Sequence, residues 1–122
     1  MGYNYDIGAT KAQLARVLQQ PGQIILVAKN QAGQVIGYAH AVSYDCLYFP
    51  PLLNLLALAV DKDFQGQGYG RALMQAIREE GVAAGYTGIR INSGISRMKA
   101  HEFYRKLGCE EKADQKRFYW EF

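Results

Sequence analysis

The sequence has little cysteine, little proline, no long apolar run and no strong excess of one charge. Each shortage removes a class of protein. Its two cysteines, Cys46 and Cys109, close at most one bridge, and their spacing matches neither a metal-ligand nor a redox pattern. A pair of reduced thiols in a cytoplasmic setting is the expectation. The most apolar stretch, residues 52–60, is interrupted by Asn54 and falls far short of the ~20 residues a membrane helix needs. The opening residues lack the basic start and apolar centre of a secretory signal. Asp6 stands where a myristoylation motif needs Ser or Thr. Fourteen Lys+Arg against eleven Asp+Glu leave a net charge of +3, too mild and too scattered for a nucleic-acid footprint. One local cluster, Arg97, Lys99, Arg105 and Lys106 against Glu102, is either a small anion site or the wet face of a helix. Internal repeats, low-complexity tracts and linkers are missing as well.

What is present is the composition of an ordinary globular domain, 49% hydrophobic and 20% charged over 122 residues. A chain of this length buries roughly two-thirds of its unfolded surface, so a single domain over residues 1–122 is expected. Alternation over residues 3–7 suggests a short strand. Thr10 and Gln13 fit a capping box ahead of Leu14, Val17 and Leu18, and Pro21-Gly22 ends that helix. Residues 24–29 and 35–43 flank an Asn30–Gly33 turn and read as a hairpin. Residues 52–61 have the continuous apolar character of a strand buried on both faces. A helix over 70–85 places Leu73, Ala76, Ile77 and Ala84 on one face. Residues 88–92 form a strand, and residues 96–107 a helix with Ala100, Phe103, Tyr104 and Leu107 as its stripe, stopped by Gly108. Residues 109–111 and 117–122 read as closing strands. The order β-α-β-β-β-α-β-α-β-β implies an α/β domain with a mixed sheet flanked by helices.

The sharpest chemical signal lies between a buried strand and a helix: Gln65, Gly66, Gln67, Gly68, Tyr69, Gly70, Arg71. Glycines at alternate positions let backbone approach a ligand and take positive φ. The helix start supplies unpaired N–H groups and the positive dipole end, which together suit a phosphate. No Gly-Lys-Ser/Thr follows, so this is not a Walker loop. The spacing of Gly66, Gly68 and Gly70, with no acidic residue ending the next strand, also excludes the dinucleotide fingerprint. One glycine would make a tight turn; three flanked by glutamines point to a ligand.

Gln65-x-x-Gly68-x-Gly70 resembles the pyrophosphate signature of the GNAT superfamily of N-acetyltransferases. Residues 56–61 are similar to that family's fourth strand, and Ala100-His-Glu-Phe103-Tyr104 with Gly108 is similar to its second signature. The resemblance covers the chain from about residue 24 onward. It implies a mixed sheet with a splayed strand pair holding acetyl-CoA, and acetyl transfer to a primary amine. The backbone of Gln65, Gly66, Gln67, Gly68, Tyr69, Gly70 and Arg71 would hold the pyrophosphate. Leu58, Ala59 and Val60 would pair with the pantetheine arm, and an N–H near Leu58 would polarise the thioester carbonyl. Asn92 and Ser93 would line the splay. Tyr104 would protonate the departing thiolate, a role its phenol of pKa about 10 suits. Arg97 stands where many members carry Asn, and its fork could reach a phosphate. Cys109 replaces a usual aromatic and reads as a core change.

Three features depart from the pattern. Where some members carry a catalytic glutamate, the chain offers Asn54 and Leu55, which leaves His40 and Asp45 as candidate bases. His101 reads as exposed, and no metal motif is present. One helix stands where the family usually has two, so the acceptor side is shortened, with Tyr44, Tyr48, Phe49, Pro50 and Pro51 as a possible aromatic wall. The resemblance implies a small-molecule or peptide amine as acceptor, and the scarcity of acidic residues mildly disfavours a polycation. Phe118, Tyr119, Trp120 and Phe122 form either a homodimer surface or a strand packed on its own sheet. A non-catalytic acyl-CoA-binding domain of the same fold is the alternative reading.

Overall fold

The computed structural model describes residues 7–94, 96–112 and 116–122. These fall into two compact units, divided after Asn92. The first opens with α1 (Ile7–Leu18) and continues through strands β1 (Gln23–Lys29), β2 (Val35–Tyr44) and β3 (Leu52–Val60). A 3-10 turn (Lys62–Phe64), helix α2 (Tyr69–Ala83) and strand β4 (Ile89–Ile91) complete it. The sheet order is β1-β2-β3-β4. β1/β2 and β2/β3 are antiparallel and β3/β4 is parallel, which is the expected mixed sheet.

The β1/β2 hairpin turns where Gly33 adopts φ 79° and donates its N–H to Asn30 O at 3.0 Å. Asn30 Oδ1 accepts from Gln34 N–H at 3.0 Å, so the turn supplies its own lost ladder bonds. β2 alternates over residues 37–41 and β3 over residues 52–55. Ala39 and Ala41 of β2, with Leu53 and Leu55 of β3, are buried and face α2, which contributes Leu73, Met74 and Ile77. Close approach is built into this layer. A Cβ at Gly81 would fall 2.9 Å from Leu53 Cδ1, and one at Gly37 2.9 Å from Ala59 O.

Between His40/Ala57 and Ala41/Leu55 the β2/β3 register slips by one residue. Leu56 is the extra residue of a β-bulge and is 53% exposed. The bulge explains why Leu53 and Leu55, then Leu58, lie on the α2 face although they are not spaced by two throughout. The expectation of a strand buried on both faces is therefore corrected. Only Leu53 and Leu55 of β3 are buried; Leu52, Asn54, Ala57 and Ala59 on the other face are half-buried.

Other expectations shift. The proposed first strand lies largely outside the described residues, and its last residue, Ile7, begins α1 instead. Thr10 therefore sits inside α1 and is not its N-cap. On α2, Met74 and Gly81 replace Ala76 and Ala84 in the buried set, a one-position rotation of the packed face.

The second unit contains α3 (Met98–Lys106). Ala100, Phe103, Tyr104 and Leu107 are half-buried, as their spacing predicts. Gly108, at φ 92°, follows the helix. The two closing strands do not form: residues 109–111 and 117–122 have no ladder. Cys109 spends its N–H on Tyr104 O at 3.1 Å, and Glu111 pairs with Arg105 at 3.3 Å. Alternation in sequence makes a strand possible, but only a partner's backbone makes it one. Cys109 is exposed, so it is no core substitution. Arg97, Lys99, Arg105 and Lys106 are all exposed, with Lys106 on Glu102 at 3.2 Å.

Candidate active site

The parallel β3/β4 ladder joins only Leu53/Ile89, Asn54/Arg90 and Leu55/Ile91. Beyond Leu55 the two strands part, and the second half of β3 pairs with β2 alone. Asp61 N–H donates to Ile36 O at 2.7 Å. Alternation down the antiparallel ladder from that bond turns the backbone of Ala59 toward β2, and that of Leu58 and Val60 outward. Val60 O is taken by Gln65 Nε2–H at 3.0 Å. The outward groups left are Leu58 N–H and C=O and Val60 N–H, a row on which an extended amide chain can lie as an added strand.

That row leads directly into the glycine loop. Asp61 Oδ1 accepts from Asp63 N–H at 3.2 Å and starts the 3-10 turn. Phe64 meets Tyr69 edge-on, with ring centres 6.3 Å apart. The loop is thus braced at both ends, and Gln65 ties it back to β3. Gly66 and Gly68 take φ 77° and 90°, with nothing within 4 Å of where a Cβ would stand. Gly68 is the N-cap of α2 and no side chain caps the helix. The first helical bond is Ala72 N–H to Gly68 O at 3.0 Å. The N–H groups of Tyr69, Gly70 and Arg71 are therefore left for an anion, at the end carrying about half a positive charge.

On the sheet face away from α2, the parting of β3 and β4 is bordered by polar groups. Gln23, Val42, Asn54 and Arg90 lie in one row across the four strands, with His40 and Ala57 in the next. His40 Nε2–H donates to Gln23 Oε1 at 2.6 Å, which leaves Nδ1 with its lone pair. Burial pushes the His40 imidazole below its usual pKa, so the neutral ring prevails near pH 7. Arg90 stacks on Tyr44, its guanidinium carbon 4.2 Å from the ring centre. Asn54 Oδ1 is buried without a hydrogen-bond partner, a cost of about 1–3 kcal/mol unless a ligand donates to it. Asp45, the other candidate base, accepts from Ser43 Oγ–H at 2.7 Å.

In the second unit, burial raises the pKa of Tyr104, opposed by the positive charge of Arg97. The phenol holds its proton throughout the neutral range. Phe103 meets it edge-on at 5.4 Å. His101 is not the exposed residue expected: it is half-buried, with its Nε2 2.8 Å from Gly94 O, tying α3 to the preceding loop.

A family model for the acetyltransferase (GNAT) domain matches residues 21–111, three-quarters of the chain. The chain belongs to the GNAT acetyltransferase family. Acetyl-CoA is the cosubstrate of that family, and the open β3 edge with the uncapped α2 terminus fits an amide arm ending in a pyrophosphate. No curated protein matches the chain by sequence. Among solved structures, the fold is similar to that of AAC(6')-Iy in complex with the bisubstrate analog CoA-S-monomethyl-acetylneamine. Identity there is 21% and the TM-score 0.85, covering 99% of this chain and 84% of that one. It is also similar to the aminoglycoside antibiotic 6'-N-acetyltransferase AAC(6')-Ih from Acinetobacter baumannii, with 15% identity, a TM-score of 0.84 and coverage of 98% and 84%. An acetyltransferase of Trypanosoma brucei gives 22% identity, a TM-score of 0.77 and coverage of 98% and 84%. At these identities the likeness carries the fold.

Within this GNAT chain, Leu58, Val60 and residues 65–71 form one continuous edge, and Asn92 stands exposed just beyond β4. Ala59 turns its backbone toward β2, and the Gln65 side chain, as distinct from its backbone, bonds Val60 O at 3.0 Å. Arg97 is the exposed N-cap residue of α3, and Tyr104 lies one helical stretch beyond it. The row of Gln23, Asn54 and Arg90, with His40 beside it, is not readable from sequence, since it depends on cross-strand register. The one available signal is that Gln23, Asn54 and Arg90 are polar residues within otherwise apolar strands.

Proposed function

We propose that the protein transfers an acetyl group from acetyl-CoA to a primary amine by direct attack, both units acting as one domain over residues 1–122. The observation that carries this is the unpaired edge of β3 running into an α2 N-terminus with no cap. In this reading Leu58 and Val60 hold the pantetheine amides. The N–H groups of residues 66–71 hold the pyrophosphate, assisted by Arg97 and Asn92. The outward N–H beside the bulge steadies the oxyanion that forms as the amine nitrogen bonds to the carbonyl carbon. As the C–S bond breaks, Tyr104 gives its proton to the sulfur, and the proton shed by the amine nitrogen returns through water to the phenolate. The two free thiols and the acetyl-CoA requirement suit a cytoplasmic setting.

The test is thermal unfolding with acetyl-CoA, CoA and ATP, followed by thiol release over an amine panel. Acetyl-CoA at ~100 times its Kd adds roughly 2.7 kcal/mol, which raises Tm by on the order of 10 °C for a chain this size. No rise with acetyl-CoA overturns the reading. A rise without turnover of any amine leaves a non-catalytic acyl-CoA-binding domain.

Self-association belongs to the same proposal. Phe118, Tyr119, Trp120 and Phe122 are each more than four-fifths exposed, an unusual concentration of apolar surface for a monomer. Light scattering should give the mass of a dimer, and Trp120→Glu should return it to that of one chain. A monomeric mass for the unaltered protein rejects the dimer.

A further inference from the structure

The sheet face away from α2, where β3 and β4 part, has a donor and acceptor pattern that selects among amines. Its hydrogen-bond acceptors are neutral: Asn54 Oδ1, buried and unpartnered, and the Nδ1 lone pair of His40, whose other nitrogen is committed to Gln23. Its fixed charge is a cation. Arg90 is half-buried, its guanidinium carbon over the Tyr44 ring at 4.2 Å, and makes no ion pair among the described residues. The titratable or charged side chains that strand alternation and register place on this face are Lys29, Tyr38, His40, Tyr44 and Arg90; none is a carboxylate. The nearest acidic residue in sequence, Asp45, is engaged by Ser43.

A polycationic amine needs carboxylates to replace the water it gives up, and this face has none to offer. An amine with an anion beside it fits the pattern at both ends. Its N–H groups satisfy Asn54 Oδ1 and face His40, and its carboxylate meets the Arg90 fork, the geometry in which arginine binds carboxylates best. Arg90 and Asn54 sit opposite one another in the β3/β4 ladder. The two side chains therefore stand on adjacent strands at one level of the sheet.

We infer that the acceptor is an amino-carboxylate, its anion bound by Arg90 and its amine received by Asn54 Oδ1. This rests on the acetyltransferase reading and names the substrate class of that same site. Arg90 acts here as a binding residue that sets specificity.

The experiment uses the full chain, acetyl-CoA, a set of L-amino acids, the matching amino-acid amides and one aminoglycoside, with thiol release as the readout. Each acid should exceed its amide at least about tenfold in kcat/KM, and the aminoglycoside should be the poorest acceptor. Arg90→Gln should raise KM for the acids roughly 10- to 100-fold, the worth of a charged hydrogen-bonded pair, and leave KM for the amides unchanged. Arg90→Lys should recover part of the loss. A merely structural role for Arg90 would move both acceptor series together, and that outcome overturns the inference. So does equal use of acid and amide, preference for the aminoglycoside, or acetyl-CoA binding with no turnover of any amino acid. Should Arg90→Gln fail to fold, the acid-to-amide ratio of the unaltered protein decides alone. Failure to bind acetyl-CoA at all overturns the acetyltransferase reading, and this inference with it, and is told apart by the thermal shift.

Discussion

Gly68→Val should abolish acetyl-CoA binding in a chain that remains folded. Gly68 is the N-cap of α2 at φ 90°, a conformation that costs a β-branched residue about 1–3 kcal/mol. A Cβ there meets nothing within 4 Å, so strain is relieved by rotating the backbone and no side chain has to move. That rotation redirects the N–H groups of Tyr69, Gly70 and Arg71, the unpaired donors at the start of the helix. Losing two charge-assisted hydrogen bonds of about 1.5–3 kcal/mol each weakens binding by at least about 100-fold. Gly85 provides the control. It has the same φ of 90° and the same empty surroundings, but lies past the other end of α2. Gly85→Val should lower Tm by a similar amount and leave acetyl-CoA affinity intact. Calorimetric titration of both variants separates strain from binding. Unchanged affinity in Gly68→Val would reduce the loop to a tight turn.

The glycine loop was legible because its chemistry is local. Positive φ, helix start and unpaired N–H groups follow from a few adjacent residues, and residues 65–71 say so without help from the rest of the chain. The hairpin, α2 and α3 were legible for the same reason, since a period or a turn is a short-range property. Features that depend on a partner strand were not. Residues 117–122 have the composition of a strand, yet residues 109–112 and 116–122 run without a ladder. Residues 52–60 look continuously apolar, and only the register shows that Leu56 bulges and that Asn54 and Arg90 share a face. Thr10 and Gln13 satisfied a capping pattern that the helix overruns, because α1 begins at Ile7. The glycine loop therefore followed from sequence, and the row of Gln23, Asn54 and Arg90 required the sheet. The bulge lies between the two: the β3/β4 pairing stops at Leu55 just before it, and the backbone of Leu58 just after it is turned away from β2.

Tyr104→Phe should lower kcat by roughly 100-fold or more, the usual worth of a positioned general acid, and change KM for acetyl-CoA by no more than about threefold. The substitution removes one oxygen and keeps the ring that meets Phe103 at 5.4 Å, so the Tm should hardly move. Burial raises the Tyr104 pKa above the usual tyrosine value, and the nearby Arg97 offsets part of that rise. The direction matters for the role. A raised pKa keeps the donor protonated through neutral and mildly basic pH, so the activity of the unaltered protein should show no loss from this group between about pH 7 and 9. A proton donor is needed only when the leaving group is basic. Acetyl-seleno-CoA, whose selenolate departs without help, should therefore close most of the gap between Tyr104→Phe and the unaltered protein. A structural defect would slow both donors equally. Equal slowing, or a Tyr104→Phe variant with full turnover of acetyl-CoA, would remove Tyr104 from the chemistry and leave it as one of the half-buried residues that pack α3.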